Sequence, residues 1–113
     1  MRASNARSGS ELANNVEVAV GIVARLKGLI GRRGLADGEA LLIRSCKGVH
    51  TVGMRFPIDV VFLDRHDKVV GIKEKMPPNR MSAIYLRASS ALELPSGAVE
   101  RSCTRPGDTL TFS

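Results

Sequence analysis

Pro57-Ile58-Asp59-Val60-Val61-Phe62-Leu63 is the stretch on which the fold turns. It is apolar apart from Asp59, rich in β-branched residues, and enters from a proline, so it reads as a strand buried on both faces. Alternation sets Asp59, Val61 and Leu63 on one face and Ile58, Val60 and Phe62 on the other. A carboxylate in such a run is cut off from water and needs hydrogen-bond donors or a cation. Two readings follow for Asp59: a carboxylate of a binding site, or a structural one that accepts backbone N–H bonds from a neighbouring loop.

Working outward, Asp64-Arg65-His66-Asp67 is a polar, hairpin-like connection that leads to Val69–Ile72, the partner strand. His66 lies in this turn and is expected to be exposed. Pro77-Pro78 ends the second strand, because proline donates nothing to a ladder. Residues 79–88 leave room for a turn of helix. Ala91–Leu94 reads as a further strand that stops at Pro95-Ser96-Gly97, and Pro106-Gly107-Asp108 turns the chain into a last strand, Thr109–Phe112. Upstream, the turn Asp37-Gly38 precedes a short buried strand, Ala40–Arg44. Val16, Val18 and Val20 alternate as a strand does, and Ile22, Leu26, Leu29 and Ile30 form the apolar stripe of a helix. Residues 1–14 are polar and aperiodic and read as a flexible tail, leaving 15–113 as a single β-rich domain. The expected fold is mostly β (α+β): a small, curved, mostly antiparallel sheet or barrel of about six short strands with one packed helix.

Composition narrows the function classes. The chain has 113 residues and a formal net charge of +6, enough for one domain with a real core. Its aromatic residues are Phe56, Phe62, Tyr85 and Phe112, so the core must be aliphatic. No apolar run is long enough to span a bilayer, and the polar N-terminus lacks the apolar region of a secretory signal. A cytoplasmic protein is expected, with export of a longer precursor left open. Cys46 and Cys103 are too few for a disulfide framework and are expected as free thiols. The positive charge is scattered, densest at Arg25, Lys27, Arg32 and Arg33 and again at Lys68, Lys73 and Lys75. It lacks interleaved stacking aromatics, so a solvated basic surface is expected rather than a nucleic-acid site.

Three constellations point to chemistry. Cys46, His50 and Met54 are spaced by four, which sets them on one side of either a strand or a helix. Thiolate, imidazole and thioether together suit a soft metal such as copper, and zinc with one more ligand; the alternative is that Cys46 and Met54 are core residues. Cys46 and His50 also form a possible nucleophile–base pair, oriented by Asp59 or Glu93, which would suit a hydrolase or thiol enzyme. Glu93, between Leu92 and Leu94, either points to solvent or faces Asp59 or His50 across a groove.

The order of five motifs carries a resemblance. These are Leu26-Lys-Gly-Leu-Ile-Gly-Arg32, Val49-His-Thr-Val-Gly-Met54, Pro57-Ile-Asp-Val-Val-Phe-Leu-Asp64, Ala91-Leu-Glu-Leu-Pro-Ser-Gly97 and Pro106-Gly-Asp108. In this order they resemble the bacterial and archaeal family of the domain of unknown function 192, over nearly all of Val16 to Phe112. The family's usual aromatic-Trp-Met-Lys-Asn-Thr stretch is replaced here by Val49 to Met54, so the chain looks like a His-Thr-containing branch. The resemblance implies a small β-rich domain of no established activity, with His50, Thr51, Met54, Asp59, Glu93 and Gly97 lining a shared groove. The expectation is therefore a non-catalytic module, without a cofactor, that binds a small molecule or a protein near His50 and Asp59.

Overall fold

The computed structural model describes residues 1–19 and 34–113. The strands are β1 (Ala3–Asn5), β2 (Glu11–Ala13), β3 (Asn15–Ala19), β4 (Glu39–Arg44), β5 (Ile58–Leu63), β6 (Val69–Met76), β7 (Ser90–Pro95) and β8 (Leu110–Phe112), with one described helix, α1 (Ala98–Ser102), between β7 and β8. A five-stranded sheet has the order β3-β4-β7-β5-β6 and a three-stranded sheet the order β2-β1-β8. Among the described strands only β3 and β4 pair in parallel. The protein is thus mostly β with a packed helix, as its sequence implies, but the two sheets do not close into a barrel. Among the described residues no helix is long and apolar enough to cross a membrane.

The central strands β5 and β7 are buried along their whole length, because each sits between two neighbours and has both faces covered. Their alternation divides the interior in two. Val61, Leu63, Leu92 and Leu94 join Leu12, Val16, Leu42, Ala98, Val99 and Leu110 in the layer between the two sheets. Ile58, Val60, Phe62 and Ala91 join Leu41, Ile43, Met54 and Met76 on the outer face. That outer face is covered by the loops around Val49 and Tyr85. Tyr85 stacks on Phe62 with ring centroids 4.2 Å apart and planes 25° from parallel, a close face-to-face contact. It also lies flat on Gly71 of β6, where an added Cβ would come within 2.2 Å of its ring.

The expected elements at Ala40–Arg44, Ile58–Leu63, Val69–Ile72, Ala91–Leu94 and Thr109–Phe112 are present, and β6 ends at Met76, just before Pro77. The turn Asp64–Asp67 is held by the Asp64 carboxylate, which accepts from the backbone N–H of His66 at 2.8 Å and of Lys68 at 3.0 Å. These bonds hold the Asp64 carboxyl below the usual carboxylate range. His66 is exposed. The helix expected over Ile22–Ile30 and the strand end at Val20 lie outside the described residues. No helix occurs in 79–88; this segment is instead held by bonds to a second loop and by Tyr85. The helix that the sequence did not announce is α1. It has only five residues, too few to display a 3.6-residue period.

The N-terminal segment corrects the expectation of a flexible tail. Residues 3–5 and 11–13 are strands, and β1 pairs with β8, placing the two ends of the chain side by side. Buried Asn5 explains why polarity misleads here. Its Nδ2 donates to Thr104 Oγ1 at 3.2 Å and to Asp108 Oδ2 at 2.9 Å, while its Oδ1 accepts from the backbone N–H of Arg7 and Ser8. Asp108 further accepts from Arg7 Nε at 2.6 Å and from the Arg105 N–H at 2.8 Å. A polar segment whose groups are all satisfied internally can be buried without penalty.

Two outcomes follow. Gly71→Ala should lower stability by about 1–3 kcal/mol through overpacking against Tyr85, with faster hydrogen exchange at the Ala88 amide; unchanged exchange there would show that Tyr85 does not pin the loop. Asp108 is held well below the usual carboxylate range, first by the Arg7 hydrogen bond and then by Asn5. A depressed folded value contributes stability that is present above the unfolded value of about 3.9 and is lost as pH falls toward the folded one. Thermal melts should therefore show Tm falling below about pH 4, with Asp108→Asn less stable at neutral pH and less sensitive to acid across that window.

Candidate functional site

Asp59 is fully buried in the centre of β5. Its Oδ1 accepts from the Lys75 N–H at 2.8 Å, and its Oδ2 from the N–H groups of Gly97 at 3.1 Å and Val99 at 2.9 Å. The first donor lies at an irregularity where β6 carries an extra residue relative to β5, with Lys75 at φ 50°. The other two lie where the chain leaves β7 and enters α1, with Gly97 at φ 96°, a conformation glycine adopts without a Cβ penalty. The reading that Asp59 accepts backbone N–H bonds is the one its geometry matches. Gly97 contributes a backbone donor.

The pairing register decides which of the candidate side chains can meet. Residues opposite one another on neighbouring strands share a face. Asp59 lies opposite Leu94, and Val60 opposite Glu93. Asp59 therefore faces the layer between the sheets, beside α1, whereas buried Glu93 faces the outer layer with Leu41 and Val60. Val49 and Met54 also pack into that outer layer, so the loop bearing His50 covers the face opposite Asp59. The expected groove between His50 and Asp59 is not formed, and Asp59 and Glu93 do not face one another.

The outer face has its own organisation. Loop 46–54 and loop 77–88 run antiparallel as an irregular ribbon. Ser82 N donates to Val49 O, Thr51 N to Arg80 O, Asn79 N to Thr51 O and Tyr85 N to Lys47 O, and His50 bridges Met81. Thr51 is the clasp. It is fully buried; its hydroxyl donates to Pro77 O at 2.6 Å and accepts from Arg80 N at 2.9 Å. Lys47 Nζ closes the far end by donating to the carbonyls of Leu86 and Ala88.

Of the soft-metal candidates, Met54 is buried in the outer core and Cys46 is half-buried, its thiol 3.0 Å from Gly48 O. His50 is exposed. Among the described residues no three His, Cys, Asp or Glu side chains group as a metal site, and Cys46 and Cys103 are not joined in a disulfide.

The ribbon presents outward what the sequence reading did not single out. Val52 is 52% exposed, Met81 79%, Ile84 66% and Leu86 81%. Ile84 reaches over Gly48, where an added Cβ would lie 2.9 Å from its Cδ1. The segments 45–57 and 77–89 contain Lys47, Arg55, Arg80 and Arg87 and no Asp or Glu. An acid-free pair of loops carrying aperiodic Met, Ile and Leu was the available signal, visible only once the two segments are known to be neighbours.

A small two-sheet β domain with a loop ribbon over one face is the class that this geometry defines. The chain belongs to the DUF192 family, described as Uncharacterized ACR, COG1430, whose profile matches residues 3–112. It is similar in structure to a protein of unknown function from Novosphingobium aromaticivorans DSM 12444, with a TM-score of 0.86 at 20% identity over 99% of this chain and 84% of that one. It is also similar to a Sinorhizobium meliloti 1021 protein described as a "putative transcription regulator", with a TM-score of 0.80 at 28% identity over 97% of this chain and 89% of that one. Among curated proteins none matches the chain.

Asp59→Asn sets an amide N–H₂ against one of three buried donors. It should cost about 1–3 kcal/mol in urea unfolding; a variant as stable as the parent would remove Asp59 from its structural role.

Proposed function

We propose that this chain is a non-catalytic protein-binding module whose docking surface is the loop ribbon bearing His50, Val52, Met81, Ile84 and Leu86. The observation that carries this reading is the run of highly exposed apolar side chains along the ribbon. Large apolar side chains clustered on a surface mark interaction sites. The ribbon is held from beneath by Thr51, Tyr85 and Lys47, so these groups are presented on an ordered frame. Preorganisation of that kind lowers the entropic cost of association. In this reading Thr51 and Met54 act by holding the surface, and Asp59 and Gly97 support the sheet from its other side.

Nucleic acid, which the description of the Sinorhizobium relative brings to mind, fits less well. Phosphates would engage Arg80 and Arg87 but would leave Met81, Ile84 and Leu86 without a role. None of the aromatic side chains is exposed for base stacking.

Selection of a random displayed-peptide library on the folded protein tests the reading. Enriched peptides should bind at least about tenfold more weakly to the Met81→Ser/Ile84→Ser/Leu86→Ser variant, as truncation of central apolar anchors does. Melting of the variant at the parent's Tm would confirm that the frame is intact. Failure to enrich any peptide, or equal binding to parent and variant, would overturn it.

A further inference from the structure

We infer that the partner is an acidic, amphipathic protein segment, one that carries Asp or Glu beside apolar side chains. The inference rests on the docking surface proposed above and adds the chemistry of its occupant. Met81 follows Arg80 and Leu86 precedes Arg87, so two of the most exposed apolar groups each have a guanidinium adjacent in the chain. Lys47 lies beside Leu86 through its bond to that carbonyl, and Arg55 follows the turn that carries Val52. No carboxylate within either loop offsets these charges. Elsewhere four cations have acidic partners: Arg7 pairs with Asp108, Arg44 with Asp67, Lys75 with Glu100 and Arg101 with Asp37.

An apolar strip rimmed by one sign of charge selects a partner of the opposite sign, because mismatched charges across an interface are repelled. A second copy of this chain is disfavoured on the same ground, since a two-fold contact would bring this strip against itself. An anionic lipid surface also offers phosphates that a guanidinium can grip, but its headgroups diffuse independently and present no fixed anion beside each apolar group, as a folded or helical segment does.

Fluorescence anisotropy tests this with a labelled synthetic peptide of Glu and Leu, and the same peptide with Lys in place of every Glu. The acidic peptide should bind and the basic one should not. Arg80→Glu/Arg87→Glu should weaken the acidic peptide by about tenfold and flatten its dependence on salt; Met81→Ser/Leu86→Ser should weaken it while leaving the salt dependence in place. Equal binding of both peptides, or binding unaffected by Arg80→Glu/Arg87→Glu, would overturn the inference. Binding to phosphatidylcholine vesicles only when phosphatidylglycerol is added, without binding to the acidic peptide, would replace the protein partner with a membrane. Library peptides that need Met81, Ile84 and Leu86 but carry no acidic residues would leave the docking surface standing and remove its charge preference.

Discussion

The Asp59 carboxylate ties together parts of the chain that have no other reason to meet. A single side chain in a dry strand accepts an N–H from the kinked edge strand β6 and two more from the turn into α1. Each of these donors is backbone that leaves regular pairing: Lys75 lies at positive φ, and Gly97 and Val99 begin a helix that cannot yet bond to itself. A leucine at position 59 would fill the space and leave all three donors unpaired. The irregular edge of β6 and the exit from β7 are therefore consequences of one acid in an apolar run.

The same alternation that buries Asp59 separates it from the other candidates. Because β5 and β7 are paired in register, an acid at position 59 and an acid at position 93 must lie on opposite faces, whatever the loops do. The sheet thus divides the protein by role. The inner face joins the two sheets through aliphatic packing, and the polar network of Asn5, Thr104 and Asp108 joins the chain termini at its margin. Among the described residues the outer face is roofed by loops, and loops can vary in side chain without disturbing the ladders beneath.

How much of this was legible in the sequence follows from how local each cause is. The strands Ile58–Leu63 and Ala91–Leu94 and the turn at Asp64–Asp67 were readable, because burial on both faces and turn chemistry leave marks within a few residues. Even the two faces of β5 could be assigned from alternation. The strand Ala3–Asn5 was not readable, since its partner is β8 at the other end of the chain and its buried side chain is an asparagine. The ribbon escaped for a related reason. His50 stood out through its spacing from Cys46 and Met54, and Thr51 through the family resemblance, but Met81, Ile84 and Leu86 look unremarkable until pairing with residues 47–51 is known. The expected groove failed because proximity in sequence between His50 and Asp59 says nothing about which side of the sheet a loop covers.

A roof made of two loops could have been closed with polar side chains at little cost, since water would satisfy them. Here Thr51 and Tyr85 point inward and hold the roof down, while the positions around them face outward. Those positions carry methionine, isoleucine and leucine, with arginine beside two of them. Exposed apolar groups of this size promote association, and a positive rim limits which associations are favourable by repelling other copies of the same surface. The combination makes physical sense for a surface that is kept open until an oppositely charged partner covers it, and it leaves the buried polar residues of the fold to explain the architecture alone.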